Sequence, residues 1–153
     1  MHERLTMRLV LDIFYFLGLL LAIPMVLWRM IRHGRYRARI SERLWGTVPR
    51  VDHNGPVIWI HAVSLGEANA SLLLAKELRE KIPNVHLVVS STTDTGLAAA
   101  LRLYGDADDA TVIQWPLDFS LTVARALNRI QPDLVAMMEG EAWPNFLSAC
   151  NRR

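Results

Sequence analysis

The stretch Ala136-Met-Met-Glu-Gly-Glu-Ala-Trp-Pro-Asn145 places two carboxylates, Glu139 and Glu141, on either side of a single glycine. They follow an apolar run, Leu134 to Met138, that reads as a buried strand, and they precede a helix opened by Pro144. In open α/β sheets the turns leaving the strand ends are where ligands bind. Two acids in one such turn repel each other and add little to packing. A proton acceptor or a group that binds hydroxyls is the chemistry they suit.

Further polar groups sit in equivalent places. Ser64-Leu-Gly-Glu67 follows the run Val57–His61, Thr92-Thr-Asp-Thr-Gly96 follows Val85–Ser90, and Asp118 follows Thr111–Trp115. Ser64 and Gly66 could cradle an anion at a helix start. Neither G-x-G-x-x-G nor G-K-[ST] occurs, however, so a dinucleotide or P-loop site lacks its motif. Glu67 would also repel a phosphate, and a sugar or a hydroxyl-bearing lipid head group fits this rim better. Helix capping explains Thr95 and Asp118 equally well. His61 serves equally as a satisfied strand-end histidine or a catalytic one, while His53 and His86 read as surface residues. No histidine–carboxylate spacing indicates a metal. The single cysteine, Cys150, excludes an internal disulfide and reads as a small apolar residue on the last helix.

These positions require a scaffold that brings successive strand ends to one side. The ends near His61, Ser90, Gln114 and Met138 are 29, 24 and 24 residues apart, the spacing of repeated βα units. Intervening helices are expected over Ala68–Lys81, from Gly96 to about Tyr104, and over Ser120–Ile130. Short, largely apolar strands imply a parallel sheet covered on both faces, an α/β class. Parallel strands put all of these turns on one rim.

The charge is not uniform. Residues 1–50 carry nine arginines against Glu3, Asp12 and Glu42, while the remainder has eight Lys or Arg against twelve acids. The front is also apolar: Ile13 to Trp28 is a sixteen-residue run without a charge, ahead of which stands Asp12. A bilayer span takes about 20 apolar residues, so a membrane helix, a signal peptide and a helix lying in one leaflet all compete. No small-residue cleavage site follows the run, and cleavage is not expected. Arg29, Arg32, Arg35, Arg37, Arg39, Arg43 and Arg50 come next, opposed only by Glu42. Their position beside an apolar anchor favours an anionic leaflet over nucleic acid, and the positive-inside rule places the globular part in the cytoplasm. Two regions are therefore expected: 1–50 as anchor and basic segment, 51–153 as the globular part. Taken alone, Glu42 reads as a helix-surface carboxylate.

Four pieces in order carry a resemblance: the apolar helix running into Glu42-Arg43, His61-Ala-Val-Ser-Leu-Gly-Glu67, Thr92-Thr-Asp-Thr-Gly96, and Glu139-Gly-Glu-Ala-Trp-Pro-Asn145. Over essentially the whole chain they resemble the N-terminal, acceptor-binding half of 3-deoxy-D-manno-octulosonic acid (Kdo) transferases. The resemblance implies a Rossmann-like domain of a GT-B, inverting, metal-independent glycosyltransferase with no cofactor. Such enzymes move Kdo from CMP-Kdo to a lipid A precursor at the cytoplasmic face of the inner membrane. It implies Glu42 as general base and Glu139 as a second essential carboxylate. Ser64, Gly66, Glu67, Thr92, Thr93, Gly96, Glu141 and Arg43 are then expected around the substrate. Ser41 stands where the family usually has glycine before the base. CMP-Kdo is expected on a C-terminal domain beyond Arg153, so residues 1–153 alone are not expected to transfer. The competing expectation is a membrane-tethered, non-catalytic module that binds a glycolipid or a partner protein.

Overall fold

The computed structural model describes residues 2–33, 39–141 and 143–153. Four strands, β1 (Val57–His61), β2 (His86–Ser91), β3 (Ala110–Gln114) and β4 (Leu134–Met137), form one sheet in the order β3-β2-β1-β4, every pair parallel. The strand limits fall within a residue of those expected. Among the described residues six helices accompany them: α1 (His2–His33), α2 (Ile40–Trp45), α3 (Leu65–Lys81), α4 (Asp94–Tyr104), α5 (Ser120–Ile130) and α6 (Pro144–Cys150).

Alternation along the strands builds two cores. Ile58, Ile60, Leu87 and Val89 face α3 and α4. Val57, Trp59, Val88 and Ile113 face α5 and α6, where Val123, Leu127, Ile130 and Phe146 close the layer. Every residue of β1 is buried, as expected for the inner strand of a sheet covered on both faces.

Helix α2 belongs with this body. Gly46 ends it at φ 64°, and a Cβ there would lie 2.2 Å from the Thr122 carbonyl oxygen of α5. Only glycine combines that backbone with so close an approach. Val48 is fully buried in the α5–α6 core. The basic segment thus packs into the sheet unit from about residue 39 onward, ahead of the boundary expected at residue 50.

Helix α1 includes the 24-residue stretch Leu9–Arg32, within which an 18-residue window reaches a mean hydropathy of 2.4 with none of that window buried. It is long and apolar enough to cross a membrane. Asp12, the charge that interrupts the apolar front, accepts from the Ser120 N–H (3.0 Å) and from Asn145 Nδ2 (3.0 Å). One turn on, the Tyr15 hydroxyl donates to Asp118 Oδ2 (3.2 Å), and its ring meets Phe119 edge-on.

At the other margin, β4 pairs with β1 on one side only among the described residues. A groove of about 440 Å³ runs along its outer edge, lined by Leu134, Met137, Leu147 and Cys150 among others. It lies away from the rim acids.

Candidate active site

The strand order reverses between β1 and β4, because the chain moves outward through β2 and β3 and then returns across β1. A crevice at such a switch point, outside the strand ends, is the usual ligand site of an open α/β sheet. His61 ends β1, and Glu139 and Glu141 follow β4, so all three stand at this reversal.

The β1–α3 loop is held from within. Ser64 caps α3 by accepting from the Glu67 N–H (3.3 Å), and its hydroxyl donates to Glu67 Oε1 (2.6 Å). The Val63 N–H donates to Glu67 Oε2 (2.8 Å). This is a capping box closed through Ser64 and Glu67. Burial works to raise the Glu67 pKa, but those hydrogen bonds hold it below the usual carboxylate value. Gly66 has open space where a Cβ would be, with Ser64 Oγ the nearest atom at 3.8 Å.

The β2–α4 loop is clamped to the same turn. Thr93 accepts from the Gly96 N–H (3.0 Å) and its hydroxyl donates to the Val63 carbonyl (2.6 Å). A Cβ on Gly96 would lie 2.2 Å from Ser91 Oγ, so glycine there permits the clamp. The Thr92 carbonyl accepts from Arg43 Nη1 (2.8 Å) and Gln114 Nε2 (3.2 Å). Thr95 is exposed, and the cap of α4 is Thr93.

Above β3 lies Glu42. It is 8% exposed, which replaces the helix-surface reading of its local sequence. Its Oε2 accepts from the Gln114 N–H at the end of β3 (2.8 Å), and its Oε1 faces Arg39 Nη1 (3.3 Å). Arg39 also donates to the Val112 carbonyl. Burial raises the Glu42 pKa against the opposing Gln114 and Arg39 contacts. A buried carboxylate with a raised pKa is equipped to take a proton.

Asp118 caps a helix, though not the one it precedes. Its carboxylate accepts from the N–H groups of Asn145 (3.0 Å) and Phe146 (2.8 Å), at the start of α6. Burial raises its pKa despite these donors.

At the switch point Glu139 is exposed, and its side chain has no partner among the described residues. Glu141 turns inward, its Oε2 accepting from Trp143 Nε1 (3.0 Å) and lying 3.4 Å from His61 Nε2. That second contact would be an ion pair only with a protonated ring. Burial lowers the His61 pKa to about 4, so the neutral ring faces the carboxylate. The His61 ring stacks on Trp115 with centroids 3.8 Å apart.

Glu42 and Glu139 share the rim but not a neighbourhood. Glu42 is bonded at the end of β3 and Glu139 follows β4, the two margins of the sheet, whose strands lie three spacings or roughly 14 Å apart. Of the expected basic cluster, Arg35, Arg37 and the Arg29 side chain lie outside the described residues. The structure also adds participants that motif reading passed over: Gln114, Trp115, Trp143 and Asp12. The partners of Gln114, Trp115 and Asp12 are distant in sequence, whereas Trp143 lies two residues from Glu141 in the E-x-E-x-W run and alone gave a signal. Among the described residues no group of three or more His, Cys, Asp or Glu could hold a metal.

The family model described as "3-Deoxy-D-manno-octulosonic-acid transferase (kdotransferase)" matches residues 37–153. A 3-deoxy-D-manno-octulosonic acid transferase of Chlamydophila psittaci is 33% identical over 141 residues, 92% of this chain and 32% of the relative. The transferase of the same name from Haemophilus influenzae is 31% identical over 140 residues, covering 88% and 32%. A third, from Bordetella pertussis, reaches 40% identity over 95 residues, covering 60% and 22%. The chain thus spans about a third of the length of the first two. No solved structure matches it. With a parallel α/β sheet, an apolar helix ahead of it and the E-x-E-x-W-P-N run at the switch point, the chain belongs to the 3-deoxy-D-manno-octulosonic-acid transferase family.

Proposed function

We propose that this chain is the acceptor-binding half of an inverting, GT-B glycosyltransferase that moves Kdo from CMP-Kdo to a lipid A precursor. Glu42 acts as general base, removing the proton from the acceptor sugar hydroxyl as it attacks the anomeric carbon. The observation that carries this reading is the burial of Glu42 at the strand-end rim, which raises its proton affinity while Gln114 and Arg39 hold it in place.

Glu139, exposed at the switch point, and Arg43, tied to the Thr92 carbonyl, line the approach to the acceptor. Ser64, Glu67, Thr93 and Gly96 shape the two loops beneath it, and Gly66 leaves room for a ligand. The reaction proceeds without a cofactor or metal. CMP-Kdo binds a second domain that these residues do not supply, so residues 1–153 alone are inactive. The apolar stretch of α1 and its flanking arginines hold the domain at the cytoplasmic leaflet, where the lipid substrate resides.

The test is Kdo transfer by a complete transferase carrying this domain, with Glu42→Gln beside the parent. General-base assistance is worth about 10²- to 10⁴-fold in rate, and a loss of that size is expected with the acceptor still bound. Unchanged turnover in Glu42→Gln would remove the base assignment. Measurable transfer by residues 1–153 alone would overturn the need for a donor domain.

A further inference from the structure

The reading of the rim as an acceptor site leaves His61 unexplained, although it is 1% exposed and its Nε2 has no hydrogen-bond partner among the described residues. Its proton can be placed by elimination. Ser90 Oγ contacts Trp59 Nε1 (2.7 Å) and His61 Nδ1 (2.9 Å). An indole N–H can only donate, so the Ser90 oxygen accepts from Trp59, and its own hydrogen is free to go to His61 Nδ1. The imidazole hydrogen is then on Nε2. The other tautomer would set an Nε2 lone pair against the Glu141 carboxylate.

Nε2–H therefore faces Glu141 Oε2 across 3.4 Å, a few tenths of an ångström beyond a good hydrogen bond. Trp143 Nε1 already donates to the same oxygen at 3.0 Å. Two fixed N–H groups converge on Oε2. Oε1 has no partner among the described residues, and 30% of the side chain is exposed. Trp115, stacked on the imidazole, prevents the ring from turning away.

We infer that His61 is a positioning residue for Glu141: the buried Trp59–Ser90–His61 chain and Trp143 fix Oε2, so that Oε1 accepts a hydroxyl of the acceptor sugar. This rests on the acceptor-site reading above. Neither N–H transfers a proton. The arrangement selects a hydroxyl-bearing ligand, because a phosphate at Oε1 would meet a carboxylate already committed as an acceptor.

The experiment uses a complete transferase carrying this domain, the parent first being shown to transfer Kdo. His61→Phe keeps the ring on Trp115 but removes the N–H, His61→Gln restores an N–H near Nε2, and Glu141→Gln removes the charge. His61→Phe is expected to raise the KM for the acceptor about tenfold, as for loss of a hydrogen bond to a charged group, with kcat and the donor KM within about twofold. His61→Gln should recover most of this. In the double variant His61→Phe/Glu141→Gln the acceptor KM should equal that of Glu141→Gln alone. Multiplying effects in the double variant, or an effect on kcat only, would show that His61 acts elsewhere and would overturn the inference. A parent without transfer would sink the acceptor-site reading instead. In that case ¹⁵N spectra of the histidine-labelled full chain still decide the pairing. A neutral ring protonated at Nε2, with a resonance that moves in Glu141→Gln, supports it, and protonation at Nδ1 refutes it.

Discussion

Glu42 and His61 are both buried, and burial moves their proton affinities in opposite directions with opposite consequences for pH. The folded pKa of Glu42 is raised, so the fold favours its neutral form. Its contribution to stability is present below the unfolded carboxylate value and is lost as pH rises through the folded one. Glu42→Gln is therefore expected to gain stability over the parent near pH 7. The gain should fade below about pH 4.5, the ordinary value for glutamate, in thermal melts across that range. The acid limb of kcat/KM should likewise lie above that value and disappear in the variant. His61 runs the other way. Its folded pKa of about 4 lies below the unfolded 6.5, so its contribution is present above pH 6.5 and is lost as pH falls to 4. That window is worth at most about 3 kcal/mol, and His61→Phe should flatten it in the same melts. Neither group declared itself in the sequence. The carboxylate looked like one more charge among arginines, and the histidine like any strand-end residue, because burial comes from partners 72 and 29 positions away.

Among the elements, strands were the most legible. Largely apolar runs of five or six residues between turn signals specify buried parallel strands, and β1 and α5 begin and end where the pattern says. Caps were legible in kind but not in partner. Ser64 and Glu67 form the box their spacing allows, whereas Asp118 crosses to α6 and leaves the first turn of α5 to Asp12. Spacing rules describe neighbours within a turn, and these bonds join residues 28 and 108 apart. Asp118→Ala should cost about 1–3 kcal/mol in denaturant unfolding, since it strands two buried N–H groups. Ser64→Ala should cost about 1 kcal/mol, the worth of an ordinary cap.

At the level of the whole molecule, the strand order decides what the two sides of the rim can do together. Strand spacing could place Glu139 on the rim, and only the family resemblance joined Glu42 to it. Spacing could not reveal that β3 and β4 are opposite margins of the sheet, because a βα repeat does not say on which side the next strand is added. With their strands roughly 14 Å apart, the two acids share no hydrogen bond, and on the proposed function any coupling between them passes through the acceptor. In the free protein the stability effects of Glu42→Gln and Glu139→Gln should add to within about 0.5 kcal/mol. Departure from additivity should appear only in the transfer kinetics of a complete transferase, where the proposed acceptor spans both.

The stitching of α1 limits how its apolar stretch can leave the sheet unit. Asp12 and Tyr15 tie the beginning of the apolar stretch to the α5–α6 corner, and Arg39, a few residues past its end, is bonded at β3. A helix fastened to the sheet unit at the start of its apolar stretch is not free to enter a bilayer there. To thread the bilayer, with that unit kept on one side, the seam at Asp12 must first come undone.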